Sequence, residues 1–245
     1  MTNHRFLRLR IAILVTVFCC VIQRGAVGQE AGTTVSESVV EPAPPGDAGS
    51  AAATKSTGKQ PVASEIAQTN LVSYGNFKLF GAAVRCNIWT AGVEYDRHVW
   101  GRHLKAQVDY VVEVLPFVLL SEPASADKWG NPTSPYQQLV HGLGVSPFGF
   151  RFLWRSDTRV KPFLIGKLGV LAFPQKVLSQ SASYANFNIQ GEGGVQIKMT
   201  DRMDLRLVPL EYFHFSNGYL AASNPGFDEL GVNFGISYHL GKPEH

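Results

Sequence analysis

From Leu230 to Leu240 every even residue is apolar and every odd residue is small or polar. Leu230, Val232, Phe234, Ile236, Tyr238 and Leu240 alternate with Gly231, Asn233, Gly235, Ser237 and His239. Successive side chains of an extended chain point to opposite faces, so this pattern demands a strand with one apolar and one polar side. Asn188 to Met199 repeats it, with Ile189, Gly191, Gly193, Val195, Ile197 and Met199 against Asn188, Gln190, Glu192, Gly194, Gln196 and Lys198. The same period runs through His103–Val114 (Leu104 on its apolar face), Trp89–Asp96 and Phe148–Arg155. Further strands are expected at Val160–Phe173 and Arg202–Phe215, with an eighth, weaker one at Asn76–Arg85.

Charged residues stand at the centres of the polar faces. Alternation by itself suits a soluble sandwich that turns its charged side to water. Strand length, aromatic content and Gly-rich strands favour a lipid-facing wall around a polar lumen. The expected fold is therefore all-β, an eight-stranded antiparallel transmembrane β-barrel over residues 71–240. Closure removes the sheet edges, and eight strands leave an interior that side chains fill. Asp109, Glu113, Arg151 and Glu192 are expected to pair there, since buried charges need partners. Trp89, Trp100, Trp129 and Trp154 are expected at the membrane interfaces.

The N-terminus reads as an export signal over residues 1–28. Arg5, Arg8 and Arg10 precede an apolar core from Ile11 to Ile22, too short to span a bilayer comfortably, and Ala26-Val27-Gly28 offers small residues for cleavage. These residues carry four Arg and no acid, so the formal net charge of +3 falls to −1 when they are removed. The basic balance is thus no sign of nucleic-acid binding. Cys19 and Cys20 leave with the signal and only Cys86 remains, which excludes an internal disulfide and a cysteine zinc site. Residues 29–70 are expected to form a disordered linker, its first half rich in Ala, Pro, Ser, Thr and Gly. Residues 241–245 are expected to form a short tail.

Glu211-Tyr212-Phe213-His214-Phe215-Ser216-Asn217, then Asn224-Pro225-Gly226-Phe227-Asp228, precede the last strand. His214 and Ser216, two apart, share a face. Asp228 has the parity of the apolar positions of the last strand, which places it on the lipid side. Val208, Leu210 and Tyr212 are expected on the same face as His214. Ser is a weak nucleophile until an imidazole takes its proton, and the imidazole needs an acid to hold its tautomer. Asn217 and the N–H of Gly218 could supply oxyanion donors. The alternative is a polar loop at a barrel mouth. His98, His103, His141 and His239 show no paired ligand spacing and read as lumen or loop residues.

His214-Phe215-Ser216-Asn217, Asn224-Pro225-Gly226 and the terminal strand resemble the signature of the lipid A 3-O-deacylase family. Gly142–Arg151 and Asn186–Gly194 are similar to further segments of it, and the resemblance spans about Tyr74 to Leu240. It implies an outer-membrane barrel that hydrolyses the ester-linked acyl chain at the 3-position of lipid A without a metal or other cofactor. It implies His214 as general base, Ser216 as nucleophile and Asn217 as oxyanion donor. The expected partners are lipopolysaccharide and outer-membrane lipid, with no nucleic acid; a homodimer is left open. One position departs from the pattern: the family carries Glu where this chain has Asp228. Glu229 is the neighbouring alternative and would need a bulge to re-aim it. A degenerate, non-enzymatic lipid-binding or structural barrel is the second reading.

Overall fold

The computed structural model describes residues 64–240. The expected signal peptide, the expected linker up to residue 63 and the expected tail lie outside the described residues. Eight strands follow one another: β1 (Ser64–Asn76), β2 (Asn87–His103), β3 (Ala106–Pro123), β4 (Gln137–Trp154), β5 (Val160–Ala172), β6 (Ala185–Lys198), β7 (Met203–Ser216) and β8 (Phe227–Leu240). Each pairs antiparallel with its neighbours in sequence, and β1 pairs with β8 to close the barrel. A Cβ on Gly235 would run into the Gln68 carbonyl, so glycine lets the closing strands approach.

The alternation read from the sequence sets the faces. Ile66, Val93, Leu164, Leu207, Phe234 and Ile236 are exposed on the outer wall, while Glu94, Asp96, Asn188, Gln190, Glu192 and Gln196 are buried inside. An apolar exterior around a charged interior is the pattern of a barrel standing in a bilayer. The turns at one end are short, at residues 104–105, 155–159 and 199–202, and Ser64 and Leu240 meet there. The connections at the other end are long, at 77–86, 124–136, 173–184 and 217–226. In bacterial barrels short turns face the periplasm and long loops face outward.

Three expectations are corrected. The eighth strand is Ser64–Asn76, not Asn76–Arg85, so the barrel begins seven residues before Leu71. Both faces of this segment carry polar residues, which hides its alternation. Inward Glu65 is 3 % exposed because two guanidiniums neutralise it, not because it is apolar. Leu104 belongs to no strand. With Lys105 it forms a two-residue turn at φ 51° and 62°, the primed geometry that matches strand twist, and β3 starts at Ala106. Val208 points inward, against Leu153, Phe163 and Ile165. The register of β7 against β8 shifts between Val208 and Glu211, around Pro209, and the bulge reverses the parity. Asp204, Arg206 and Val208 face the lumen before it, and Glu211, Phe213 and Phe215 after it.

The lumen is filled in two zones. Toward the long loops, Phe213, Phe215, Phe227 and Phe173 pack with Leu71, Ile88 and Leu120. Nearer the short turns is an ion-pair network. Lys167 donates to Glu94 at 3.0 Å and Glu113 at 2.7 Å, and its ammonium pairs with Glu192 at 2.6 Å. Arg151 pairs with Asp109 at 2.7 Å, Asp96 at 2.9 Å and Glu65. Arg206 pairs with Glu65 at 2.7 Å, Glu94 and Asp96. The four residues expected to pair inside therefore do so. Arg151→Ala leaves three buried carboxylates short of a shared cation. It is expected to lower the unfolding free energy by about 3 kcal/mol or more, read as a lower urea midpoint of the barrel in liposomes.

Candidate active site

The bulge at Pro209 creates the site's geometry. Beyond it Leu210, Tyr212, His214 and Ser216 stand on the outer wall, and His214 lies directly across from Asp228 in the β7–β8 ladder. Directly opposed residues have Cβ atoms about 4.5–5.5 Å apart, so a side chain as short as Asp reaches the imidazole. The contact between His214 Nδ1 and Asp228 Oδ1 is 2.6 Å. An ionised carboxylate only accepts, so Nδ1 carries the proton and Nε2 is left as the free acceptor.

Asp228 gathers the densest shell of protein donors in the site. Oδ1 also accepts from the Tyr212 hydroxyl at 2.7 Å. Oδ2 accepts from the backbone N–H groups of Leu79 at 2.5 Å, Phe80 at 2.6 Å and Gly81 at 2.6 Å. Five donors converge on one carboxylate that is 1 % exposed. A charge on the wall of a membrane barrel is costly, and such a shell offsets the loss of water. Successive N–H groups turned to one point form an anion nest. The β1–β2 connection makes it by running beside the start of β8, with Ala82 N–H on the Pro225 carbonyl at 2.6 Å and Ala83 N–H on the Gly226 carbonyl at 3.0 Å. Its aromatic residues close the flank: Phe80 meets His214 edge-on at 5.8 Å, and Phe77 meets Tyr212 at 6.4 Å.

Ser216 shares the face of His214, one strand repeat further toward the rim. Its hydroxyl has no hydrogen-bond partner among the described residues. A Cβ on Gly226 would sit 3.5 Å from His214 Cε1 and 3.6 Å from Ser216 Cβ. Gly226 also has φ +62° and a Cβ there would come within 3.2 Å of Gly81 Cα, so glycine serves both the turn and the approach of the β1–β2 connection.

The two expected oxyanion donors part ways. The Asn217 side chain is engaged by its own loop: Nδ2 donates to the Ser223 carbonyl at 2.7 Å, and Oδ1 accepts from Tyr219 N–H at 3.0 Å. Its backbone N–H donates to Asn224 Oδ1 at 2.9 Å, and it is 1 % exposed. Gly218, at φ +61°, has an N–H with no partner among the described residues. Asn224 Oδ1 faces Asn217, and the Asn224 amide NH2 is a second donor without a partner among the described residues. Glu229, the alternative acid, points into the barrel, where Oε1 accepts from Gly75 N–H at 2.9 Å.

Sequence reasoning missed Tyr212 as a polar partner, the nest at residues 79–81, and Asn224. Tyr212 carried a usable signal, since it has the parity of His214 and Ser216. The nest carried none, because any residue supplies an N–H. Two carboxylate groups have metal-like spacing, Glu94/Glu113/Glu192 and Glu65/Asp204/His239. Both involve the lumen network, the first gathered on the Lys167 ammonium and the second shared with Arg206 and Lys161. Neither touches His214.

The sequence profile of the lipid A 3-O-deacylase family matches residues 90–237. No curated protein matches the chain. Among solved structures, that of the outer-membrane enzyme PagL is similar at 13 % identity and a TM-score of 0.51, over 70 % of this chain and 97 % of that one. Neisserial surface protein A is similar at 14 % identity and a TM-score of 0.36, over 72 % and 94 % of the two chains. OprG from Pseudomonas aeruginosa follows at 10 % and 0.41, over 74 % and 97 %.

Proposed function

The chain belongs to the lipid A 3-O-deacylase family, and from that premise we propose that it stands in an outer membrane and cleaves the 3-O-linked acyl ester of lipid A. Ser216 is the nucleophile, His214 the general base and Asp228 the acid that orients it. The observation that carries this reading is the 2.6 Å His214–Asp228 contact on the face that also bears Ser216.

The steps follow from the geometry. The acyl chain of a lipid beside the barrel already lies against the apolar wall, so the ester reaches Ser216 without leaving the membrane. Ser216 Oγ attacks the ester carbonyl carbon as His214 Nε2 takes its proton. The imidazolium that forms is stabilised by Asp228, which the five donors hold ionised and immobile. The N–H of Gly218 and the amide of Asn224 serve as the oxyanion donors in this reading, which is supported by Asn217 tying their loop. Collapse expels the sugar oxygen, which takes the proton from His214. Water then attacks the acyl-Ser216 ester by the same relay and releases the hydroxy fatty acid.

Asp in place of the family's Glu was the reason to consider a degenerate barrel. The cross-strand pairing supports Asp228 in the acid's role, because the shorter side chain reaches the imidazole. The test is mass spectrometry of lipid A from cells expressing the full chain. Lipid A lighter by one hydroxyacyl group supports the reading, and an unchanged spectrum with the barrel assembled in the outer membrane sinks it. A smaller effect is expected from Tyr212→Phe, which removes one of the five donors and keeps the ring contact with Phe77. Loss of a hydrogen bond to a charged group predicts a kcat about tenfold lower in detergent-solubilised enzyme.

A further inference from the structure

The β3–β4 connection, residues 124–136, is an ordered hairpin clamped to the loop that follows Ser216. Within it, Ala124 N–H donates to the Tyr136 carbonyl at 2.9 Å, Thr133 N–H to the Ser125 carbonyl at 3.0 Å, and Asp127 N–H to the Asn131 carbonyl at 2.9 Å. The Asp127 carboxylate accepts from Trp129 N–H at 2.8 Å and from Asn131 N–H at 2.9 Å and its side chain at 3.0 Å. The Asn131 donors come first in holding that carboxyl below its usual range. Asp127 is thus occupied by its own turn.

Three contacts fix the hairpin to the site. Ser223 Oγ donates to the Lys128 carbonyl at 2.6 Å, and the Ser223 carbonyl in turn receives the Asn217 amide next to Ser216. Gly130, at φ +84°, packs so closely that a Cβ there would sit 2.7 Å from Pro225. Arg85 donates to the Pro135 carbonyl at 2.9 Å. At the tip Trp129 is 62 % exposed, and Lys128 Nζ lies 5.0 Å from the centre of its ring. The charged residues of the four long connections are Lys78, Arg85, Lys128 and Lys176 against one acid, Asp127. An exposed ammonium against an aromatic face, on a hairpin hydrogen-bonded to the loop that follows Ser216 and at the end of the barrel whose connections carry four cations and one acid, is suited to meet an anion.

We propose that Lys128, held over Trp129, binds a phosphate on the sugar headgroup of the glycolipid substrate and so sets its register against Ser216. This rests on the deacylase reading for the identity of the glycolipid, while the binding itself is independent of turnover. A lysine ammonium is a compact point charge suited to phosphate, and cation–π contact reduces the freedom it loses on binding.

The test uses the full chain with Ser216→Ala, so that lipid is bound and not consumed. Affinity for phosphorylated lipid A in detergent, and for the same lipid A after removal of its phosphates, is read by native mass spectrometry. Adding Lys128→Ala is expected to weaken the phosphorylated lipid about five- to twentyfold, as loss of a charge-assisted contact does, and to leave the dephosphorylated lipid unchanged. Lys128→Arg should retain most of the affinity. Equal weakening of both lipids, or of neither, overturns the inference and leaves Trp129 as a membrane-interface anchor. Inorganic phosphate that displaced the lipid at equal concentration would also overturn it, in favour of a free-anion site. Failure of the Ser216 chain to hydrolyse lipid A would sink the deacylase reading and leave this binding result standing.

Discussion

Ser216→Ala abolishes release of the hydroxyacyl chain while the barrel assembles as before: this is the largest effect expected of any single substitution. Ser216 sits at the rim end of β7, is only partly buried, and its hydroxyl has no hydrogen-bond partner among the described residues. Its removal should move stability by no more than about 0.5 kcal/mol, as for surface positions away from special features. The reaction loses the atom that forms the covalent bond. Removing the nucleophile of a serine hydrolase lowers kcat by about a millionfold, with the remainder owed to binding and the oxyanion donors. Lipid A from cells carrying the variant should keep its full mass, and the purified barrel should keep the heat-modifiable gel mobility of the unaltered chain. Hydrolysis persisting in this variant would show that another group attacks the ester.

The second large effect is expected at Asp228, where catalysis and local structure meet. Asn is nearly isosteric with Asp but replaces one acceptor oxygen by a donor NH2. If that NH2 faces residues 79–81, three N–H groups lose their acceptor at once. If it faces His214, the imidazole must present the other tautomer, and Nε2 then carries the hydrogen and cannot take the proton of Ser216. In the first case the imidazolium loses the negative charge that stabilises it, in the second the base itself is lost, and a loss of kcat of up to about ten-thousandfold is expected from the corresponding change in other triads. The variant should differ from Ser216→Ala in one further respect. The β1–β2 connection is held to the wall by Asp228 Oδ2, so Asp228→Asn should speed amide hydrogen exchange at Leu79, Phe80 and Gly81. Asp228→Glu is expected to fall between the two, since an added methylene must find room inside a shell already closed at 2.5–2.7 Å. A kcat within tenfold of the original in Asp228→Asn would remove this carboxylate from the mechanism.

Much of this molecule was legible in its sequence, because period two is a local property of an extended chain. Asn188–Ile197 and Leu230–Leu240 announce both strand and facing without knowledge of a partner, and the membrane reading follows from which face is apolar. His214, Ser216 and Asp228 were named as candidates through the family resemblance, since their spacing alone also fits a polar loop at a barrel mouth. Val208 was expected on the face of His214, and the bulge at Pro209 divides them.

What the sequence could not supply depends on pairing between distant segments. The extra residue at Pro209 shows only against the registers of β6 and β8, and without it His214 would face the lumen. β1 is a strand because Glu65 meets Arg151 and Arg206, residues 86 and 141 positions away, a rescue invisible in its own composition. Asp228 rather than Glu229 reaches the imidazole because the ladder sets His214 opposite Asp228. Asn217 ties its loop, and the nest of N–H groups at residues 79–81 has no side-chain signature at all. Local alternation thus determined the wall and the chemistry available on it. Closure of the barrel decided which atoms meet, because side-chain contact across strands is a matter of register, and register belongs to the folded sheet.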